Sequence, residues 1–157
     1  MIDMGKETMK EINLIGLALK TKTTNAHGQS SIDCKELWHK FENGKHAASI
    51  PNKLSGEIYG VYYNYDGDST KPFSYFIGCK VKKGTANPEG LDSLTIAAGQ
   101  YEKITVTGKM PDIVINAWKE IWKADYARTY QTDFEIYDER TKDWGNAEVD
   151  VYLSVEE

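Results

Sequence analysis

The chain has 157 residues, of which 24 are acidic and 19 basic, and 11% are aromatic. This length suits one domain or two small fused modules that share a core, and the second is our expectation. The acidic balance, without a cluster of Lys and Arg, argues against direct nucleic-acid binding. Residues 1–11 mix charges and lack a continuous apolar stretch. We therefore expect no signal peptide, no membrane span and a cytoplasmic location.

The first strand and helix are predicted between residues 12 and 44. Residues 12–20 are apolar and precede a polar stretch, which predicts a strand that leads into a loop. Ser31 is a candidate N-cap, and Asn43-Gly44 is a typical helix end. The apolar residues between them recur at helical spacing: Cys34, Leu37, Trp38 and Phe41. This helix must bury one face against a sheet.

A hairpin follows the first helix. Residues 57–65 and 73–82 are rich in aromatic and β-branched side chains, which favours strands. Residues 66–72 contain Asp, Gly and Pro, the residues of a turn. Residues 83–91 read as a linker, and residues 94–97 predict a short extra strand.

The second half repeats the same order of elements. Residues 100–108 predict a strand, and Pro111 suits the first turn of a helix. The apolar stripe of that helix contains Val114, Ala117, Trp118, Ile121 and Trp122. The helix is expected to end near Ala124 and to precede a polar loop. Residues 133–138 and 147–155 then predict a closing hairpin.

Residues 12–82 and 100–155 therefore read as one strand, helix, strand, strand unit written twice. Every connection is a hairpin or a helical crossover, so the expected class is α+β. Two tandem βαββ modules would form a mostly antiparallel sheet with both helices on one face. A ligand cleft is expected at the seam, since pockets favour such module interfaces.

The two copies differ where Gly60 aligns with Glu135. Strand periodicity places Glu135 and Tyr137 on one face and Phe134 and Ile136 on the other. A carboxylate buried without a partner is costly, and a cationic ligand in an aromatic cleft would relieve that cost. The alternative is a solvated glutamate at the edge of a sheet.

Other chemistries have little support. Cys34 and Cys79 lack a CxxC spacing, so two reduced thiols are expected. The three histidines share no spacing that would seat a metal, and no Gly-rich phosphate loop is present. We therefore expect neither a metal site nor a cofactor.

Several segments together carry a resemblance to a known family. They are Ile58-Tyr59-Gly60-Val61-Tyr62, Ile77-Gly78-Cys79-Lys80-Val81, Trp118-x-x-Ile121-Trp122, Asp133-Phe134-Glu135-Ile136-Tyr137 and Ala147-Glu148-Val149-Asp150-Val151-Tyr152. In order and spacing the chain resembles the GyrI-like effector-binding domains, and among them the integron-associated effector-binding branch. The likeness covers nearly the whole chain, so residues 1–157 are interpreted as a single such domain.

The resemblance implies a pocket for amphipathic small molecules, often cationic or aromatic, and a stand-alone relative of the ligand domains of multidrug-sensing transcription regulators. The family's ligand-binding glutamate falls on Glu135, and a pocket tyrosine near the last strand falls on Tyr152. With matching positions in the two copies, the expected ligand-binding residues are Glu135, Tyr137, Tyr62, Trp118 and Tyr152.

Two other functions stay open at this point. Some relatives hydrolyse strained electrophiles, which would make Glu135 a base and Tyr137 or Tyr152 a hydrogen-bond donor. Burial of the carboxyl group would serve that role and cation capture equally well. The third hypothesis is a regulatory domain that docks onto a protein partner, marked by an exposed apolar patch or an acidic strip.

Overall fold

The computed structural model of the protein describes residues 2–68, 70–124 and 126–156, with the backbone alone for residues 2–4. The first half contains β1 (Ile2–Met9), β2 (Ile12–Ala18), α1 (Gln29–Asn43), the short α2 (His46–Ser49), β3 (Ile58–Tyr63) and β4 (Ser74–Lys80). The second half contains β5 (Asp92–Ile96), β6 (Gly99–Gly108), α3 (Asp112–Lys123), β7 (Thr132–Tyr137) and β8 (Ala147–Ser154). Short 3-10 turns lie at Ala26–Gly28 and Glu139–Thr141.

The strands form one antiparallel sheet of eight strands in the order β1-β6-β8-β7-β3-β4-β2-β5. The unit β2-α1-β3-β4 recurs as β6-α3-β7-β8, and the two units meet where β3 pairs with β7. The predicted α+β class and the antiparallel sheet are confirmed. The seam between the units lies at the centre of the sheet.

Strand β1 occupies a segment for which the sequence analysis predicts no strand. Lys6 and Glu7, which point to opposite faces of the strand, are both exposed, so neither face is buried at these positions. Its pairing with β6 is what orders it as an edge strand. The register continues across two unpaired residues on each side into the β2–β5 ladder, from Met9 opposite Gly99 to Ile12 opposite Ile96. The extra strand expected near residues 94–97 is confirmed as β5.

Helix α1 begins two residues before the predicted cap. Gly28 precedes its first residue, Gln29, with a φ of 70°, in the left-handed region that glycine adopts without steric cost. Ser31 is thus inside the first turn rather than at the N-cap. The helix ends at Asn43 as predicted.

Both helices pack on the same face of the sheet. Leu37 and Phe41 of α1 pack on β2 and β4, and Trp118 and Ile121 of α3 pack on β6 and β8. The opposite face of the sheet is also buried, because side chains from both halves of the sheet pack together there. They are Ile12, Leu14, Tyr59, Val61, Phe76, Ile96, Tyr101, Phe134, Ile136 and Tyr152. The helices leave a cleft over the β3–β7 seam.

No helix in the described ranges has the length and apolar character needed to cross a membrane.

Candidate functional site

The β3–β7 register places Gly60 directly opposite Glu135 at the centre of the sheet. Tyr62 and Tyr137 each lie two residues further along their own strands, so both share a face with Glu135. Gly60 in the first unit and Glu135 in the second unit occupy equivalent positions of the repeat, and the two residues also pair with each other. The site thus lies at the pseudo-twofold junction of the repeat.

The Glu135 carboxylate is buried and accepts hydrogen bonds from three side chains. It is 1% exposed. The Tyr137 hydroxyl donates to Oε1 at 2.5 Å, and the Tyr62 hydroxyl donates to Oε2 at 3.0 Å. The Trp118 indole Nε1 donates to Oε2 at 2.5 Å. All three donors are neutral, and no ion pair among the described residues involves Glu135.

Burial raises the pKa of Glu135 above its ordinary value, because desolvation outweighs the three hydrogen bonds that favour the ionised form. Burial, together with the neighbouring Glu135, raises the pKa of Tyr62 and of Tyr137 well above the ordinary range. Both tyrosines therefore remain protonated donors at neutral pH. The site holds one acidic group whose charge is only partly compensated.

The raised pKa predicts a pH dependence of stability. The folded protein binds the Glu135 proton more tightly than the unfolded chain, whose carboxyl keeps the ordinary value of 4.5. The contribution of this proton to the free energy of unfolding is therefore complete below pH 4.5, and it is lost as the pH rises through the raised pKa of the folded protein. We expect the melting temperature of Glu135→Gln, minus that of wild type, to increase from acidic to neutral pH. A difference that stays constant would contradict a raised pKa.

Gly60 makes room for the hydroxyl group of a buried tyrosine. A Cβ at position 60 would lie 2.5 Å from Tyr75 Oη and 3.4 Å from Glu135 Oε1. Tyr75 accepts a hydrogen bond from Trp38 Nε1 at 2.9 Å. In the first unit the indole of Trp38 on α1 therefore donates to the hydroxyl of Tyr75. In the second unit the indole of Trp118 on α3 donates to the carboxylate of Glu135. The repeat retains one acid, not two.

Gly60→Ala should destabilise the protein by about 1–3 kcal/mol, the usual cost of overpacking a filled core. Tyr75 is 1% exposed and fixed at its hydroxyl by Trp38, so its ring has little freedom to move. Urea unfolding measures the effect. Gly99→Ala is the matched control, since it is also on a strand and its Cβ would meet nothing within 4 Å. Equal effects of the two substitutions would contradict the tight fit.

A cavity of about 310 Å³ opens between the start of α1 and α3, above the Glu135 group. Its lining includes Asn25, Gly28, Ser30, Ser31, Cys34, Tyr62, Tyr65, Phe73, Val114, Ile115, Trp118, Lys119, Trp122 and Arg128. Two of these residues, Tyr62 and Trp118, hydrogen-bond to Glu135, which is itself absent from the lining. The two aromatic side chains thus separate the carboxylate from the cavity.

A second buried acid on β7 has a cationic partner. Asp133 accepts from Arg128 Nη2 at 2.6 Å and from the Tyr65 hydroxyl at 2.6 Å. The Ser154 backbone N–H donates to its other oxygen at 3.0 Å. Sequence reasoning missed this group because Arg128 lay in a presumed polar loop. The available signal was Asp133 itself, two residues before Glu135 and so on the same face of the strand.

Four of the five predicted ligand residues lie together, and Tyr152 does not. Tyr152 is opposite Phe134 in the β7–β8 register and stacks on its ring at 4.7 Å, on the face of the sheet away from Glu135. The structure therefore places Tyr152 apart from the other four predicted ligand residues. Tyr62, Trp118, Glu135 and Tyr137 form one hydrogen-bonded group, of which Tyr62 and Trp118 reach the cavity. Both cysteines are free thiols, and Cys34 lines the cavity.

Comparison with solved structures reproduces this architecture. The integron cassette protein VCH_CASS2 of Vibrio cholerae is 27% identical, with a TM-score of 0.73 over 98% of this chain and 95% of that chain. SAV2435, solved with bound tetraphenylphosphonium, is 17% identical, with a TM-score of 0.77 over 98% and 94% of the two chains. The C-terminal domain of EcmrR, at 12% identity, has a TM-score of 0.61 over 99% and 98%. SAV2435 and the EcmrR domain share the fold of this chain.

Sequence comparison extends the likeness to a curated protein and to a family. YobU of Bacillus subtilis (strain 168), which its name describes as a candidate transcriptional regulator, is 28% identical over 101 residues. That match covers 62% of this chain and 63% of YobU, so it spans less than two thirds of that relative. The family model Cass2, integron-associated effector binding protein, matches residues 7–155. The chain therefore belongs to the integron-associated effector binding protein family, a family of small-molecule-binding domains.

Proposed function

We propose that this protein binds an aromatic, cationic small molecule in the cavity between α1 and α3, with Glu135 as the counter-charge. The observation that carries the proposal is a carboxylate 1% exposed and held by three neutral donors. Removing a charge from water without an opposite charge is costly, and a cation in the adjacent cavity would offset that cost.

The aromatic walls suit such a ligand. Tyr62, Tyr65, Phe73, Trp118 and Trp122 all line the cavity. A cation over an aromatic ring gains about 0.5–2 kcal/mol per contact, and ring-to-ring packing adds to this. The volume of about 310 Å³ lies at the lower end of ligand pockets, so a modest opening would admit a compound with several rings.

Access to the acid requires movement of the two side chains that cover it. The Tyr62 and Trp118 rings are 4.9 Å apart, and both donate to the same oxygen, Oε2. In the proposed complex at least one of them turns away, and the positive charge of the ligand replaces the lost hydrogen bond. The remaining donor, Tyr137, keeps the carboxylate in place through Oε1.

A structural relative supports the choice of ligand class. The SAV2435 structure contains tetraphenylphosphonium, a cation whose charge is surrounded by phenyl rings. That relative shares the fold at 17% identity, so its ligand enters here as a probe for this chain.

The test compares a cation with a neutral molecule of similar shape. Isothermal titration at neutral pH should show tetraphenylphosphonium binding at least about tenfold more tightly than triphenylphosphine oxide, a difference of about 1.4 kcal/mol. Competition between the two compounds would establish a shared site. Equal affinities, or no binding of the cation, would contradict the proposal.

A further inference from the structure

The cavity is lined by two cationic residues, Lys119 and Arg128, and no carboxylate is among its lining residues. The negative charge of Glu135 lies one layer deeper, beneath Tyr62 and Trp118. A ligand in this cavity would therefore meet charges of both signs. A ligand with a positive charge alone would pair only with Glu135, the deeper of these charges.

Arg128 has hydrogen-bonding capacity that the protein does not use. Its side chain is 4% exposed, and Nη2 donates to Asp133 at 2.6 Å. Nε and Nη1 are buried and have no hydrogen-bond partner. A guanidinium carries five N–H donors, and leaving buried donors unpaired costs free energy. Such orphaned groups are uncommon in native structures. Both nitrogens are covered by protein atoms, so an acceptor on a ligand would reach them after a local rearrangement of the side chains that cover them.

Lys119 supplies a positive charge that is not balanced locally. It is exposed on α3, and none of the ion pairs among the described residues involves it. The charge of Arg128 is balanced by Asp133. The wall of the cavity therefore has a net positive charge, and the unused N–H donors of Arg128 lie beneath it.

The indole of Trp118 lies between the negative charge of Glu135 and the positive charge of Arg128. Trp118 donates to Glu135 at 2.5 Å, and the Arg128 guanidinium carbon lies 5.8 Å from the centre of the Trp118 ring. Arg128 is fixed there, since it also stacks over Tyr130 at 4.3 Å. A short arm on a small molecule would span the two positions.

We propose that the preferred ligand is an aromatic zwitterion, with a cationic part directed toward Glu135 and a carboxylate directed toward Arg128 and Lys119. This inference rests on the proposed function and specifies the ligand class of the same site. Carboxylates pair with guanidinium groups through strong, charge-assisted hydrogen bonds. The two charges of the ligand complement the two charges of the site.

Two matched phosphonium probes test the inference: butyltriphenylphosphonium and its carboxypropyl analogue, in which a carboxylate replaces the terminal methyl group. We expect wild type to bind the carboxypropyl analogue about tenfold more tightly, as one charge-assisted contact would give. In the double variant R128Q/D133N, which removes both members of the buried ion pair, the ratio should fall to about two- to threefold, the share left to Lys119. In Lys119→Met it should fall by about two- to threefold.

The ratio is measured within each variant, so altered stability cancels, and exposed Lys119 offers a variant that does not disturb the core. The inference is overturned if wild type binds the butyl probe at least as tightly, or if neither change lowers the ratio. Binding of the butyl probe that depends on Glu135, with no preference for the carboxylate, would overturn this inference and leave the proposed function standing. If neither probe binds, both fail.

Discussion

Glu135→Gln should weaken the binding of tetraphenylphosphonium by about 10- to 100-fold, or about 1.4–2.8 kcal/mol. The substitution removes the buried charge and keeps the size of the side chain. Trp118 can only donate, so the Gln oxygen must face it, and the amide N–H groups must then face the hydroxyl of Tyr137, which is able to accept. The group can therefore stay bonded while its charge is lost. Titration calorimetry on both proteins measures the effect.

The neutral probe and a surface variant separate charge from shape. Triphenylphosphine oxide should bind the variant and the wild type within about twofold, because it makes no ion pair with Glu135. Glu36→Gln removes one negative charge from an exposed position on α1 and should leave both affinities unchanged. If the cation and the neutral probe lose affinity equally, the counter-charge role is wrong.

Arg128→Met should destabilise the protein by about 3–5 kcal/mol, the typical cost of breaking a buried ion pair. The side chains of Arg128 and Asp133 are 4% and 0% exposed, so the substitution leaves a buried carboxylate without its cation. Chemical denaturation measures the loss. In the double variant R128M/D133N the lone charge is gone, and part of the stability should return.

An exposed ion pair provides the control for that experiment. Lys22 and Asp66 are 2.5 Å apart, but their side chains are 37% and 50% exposed. Lys22→Met should therefore cost less than about 1 kcal/mol. Equal losses of stability for Arg128→Met and Lys22→Met, or no recovery in R128M/D133N, would contradict a stabilising role for the buried Arg128–Asp133 pair.

Much of the central sheet follows from local patterns in the sequence. The alignment of Gly60 with Glu135 came from the repeat, and the structure pairs those two residues across the seam. Alternation along β7 placed Glu135 and Tyr137 together because strand periodicity is a local property. These features depend on residues within one strand or on a match between two copies.

The features that local patterns did not predict concern pairing between distant segments. The position of Tyr152 depends on the β7–β8 register, which puts it opposite Phe134 and so away from Glu135. Strand β1 is ordered by β6, about a hundred residues later in the chain, and not by its own exposed residues. Neither register is encoded in a local pattern, since a slip of one residue exchanges the two faces.

The cover over the acid is also a tertiary property. Trp118 lies on the apolar stripe of α3, where a tryptophan commonly fills a core. Its hydrogen bond to Glu135 arises because α3, which packs on β6 and β8, brings the indole within reach of β7. Sequence reasoning therefore named the acid and its aromatic neighbours, but not the separation of the carboxylate from the cavity.

A crystal structure of the complex with tetraphenylphosphonium tests the central claim most directly. We expect the phosphonium in the cavity between α1 and α3, with Glu135 as the nearest acid and with Tyr62 or Trp118 turned away from Oε2. A cation bound only against the exposed side chains of Ile115 and Trp122, above a carboxylate that both aromatic residues still cover, would contradict it.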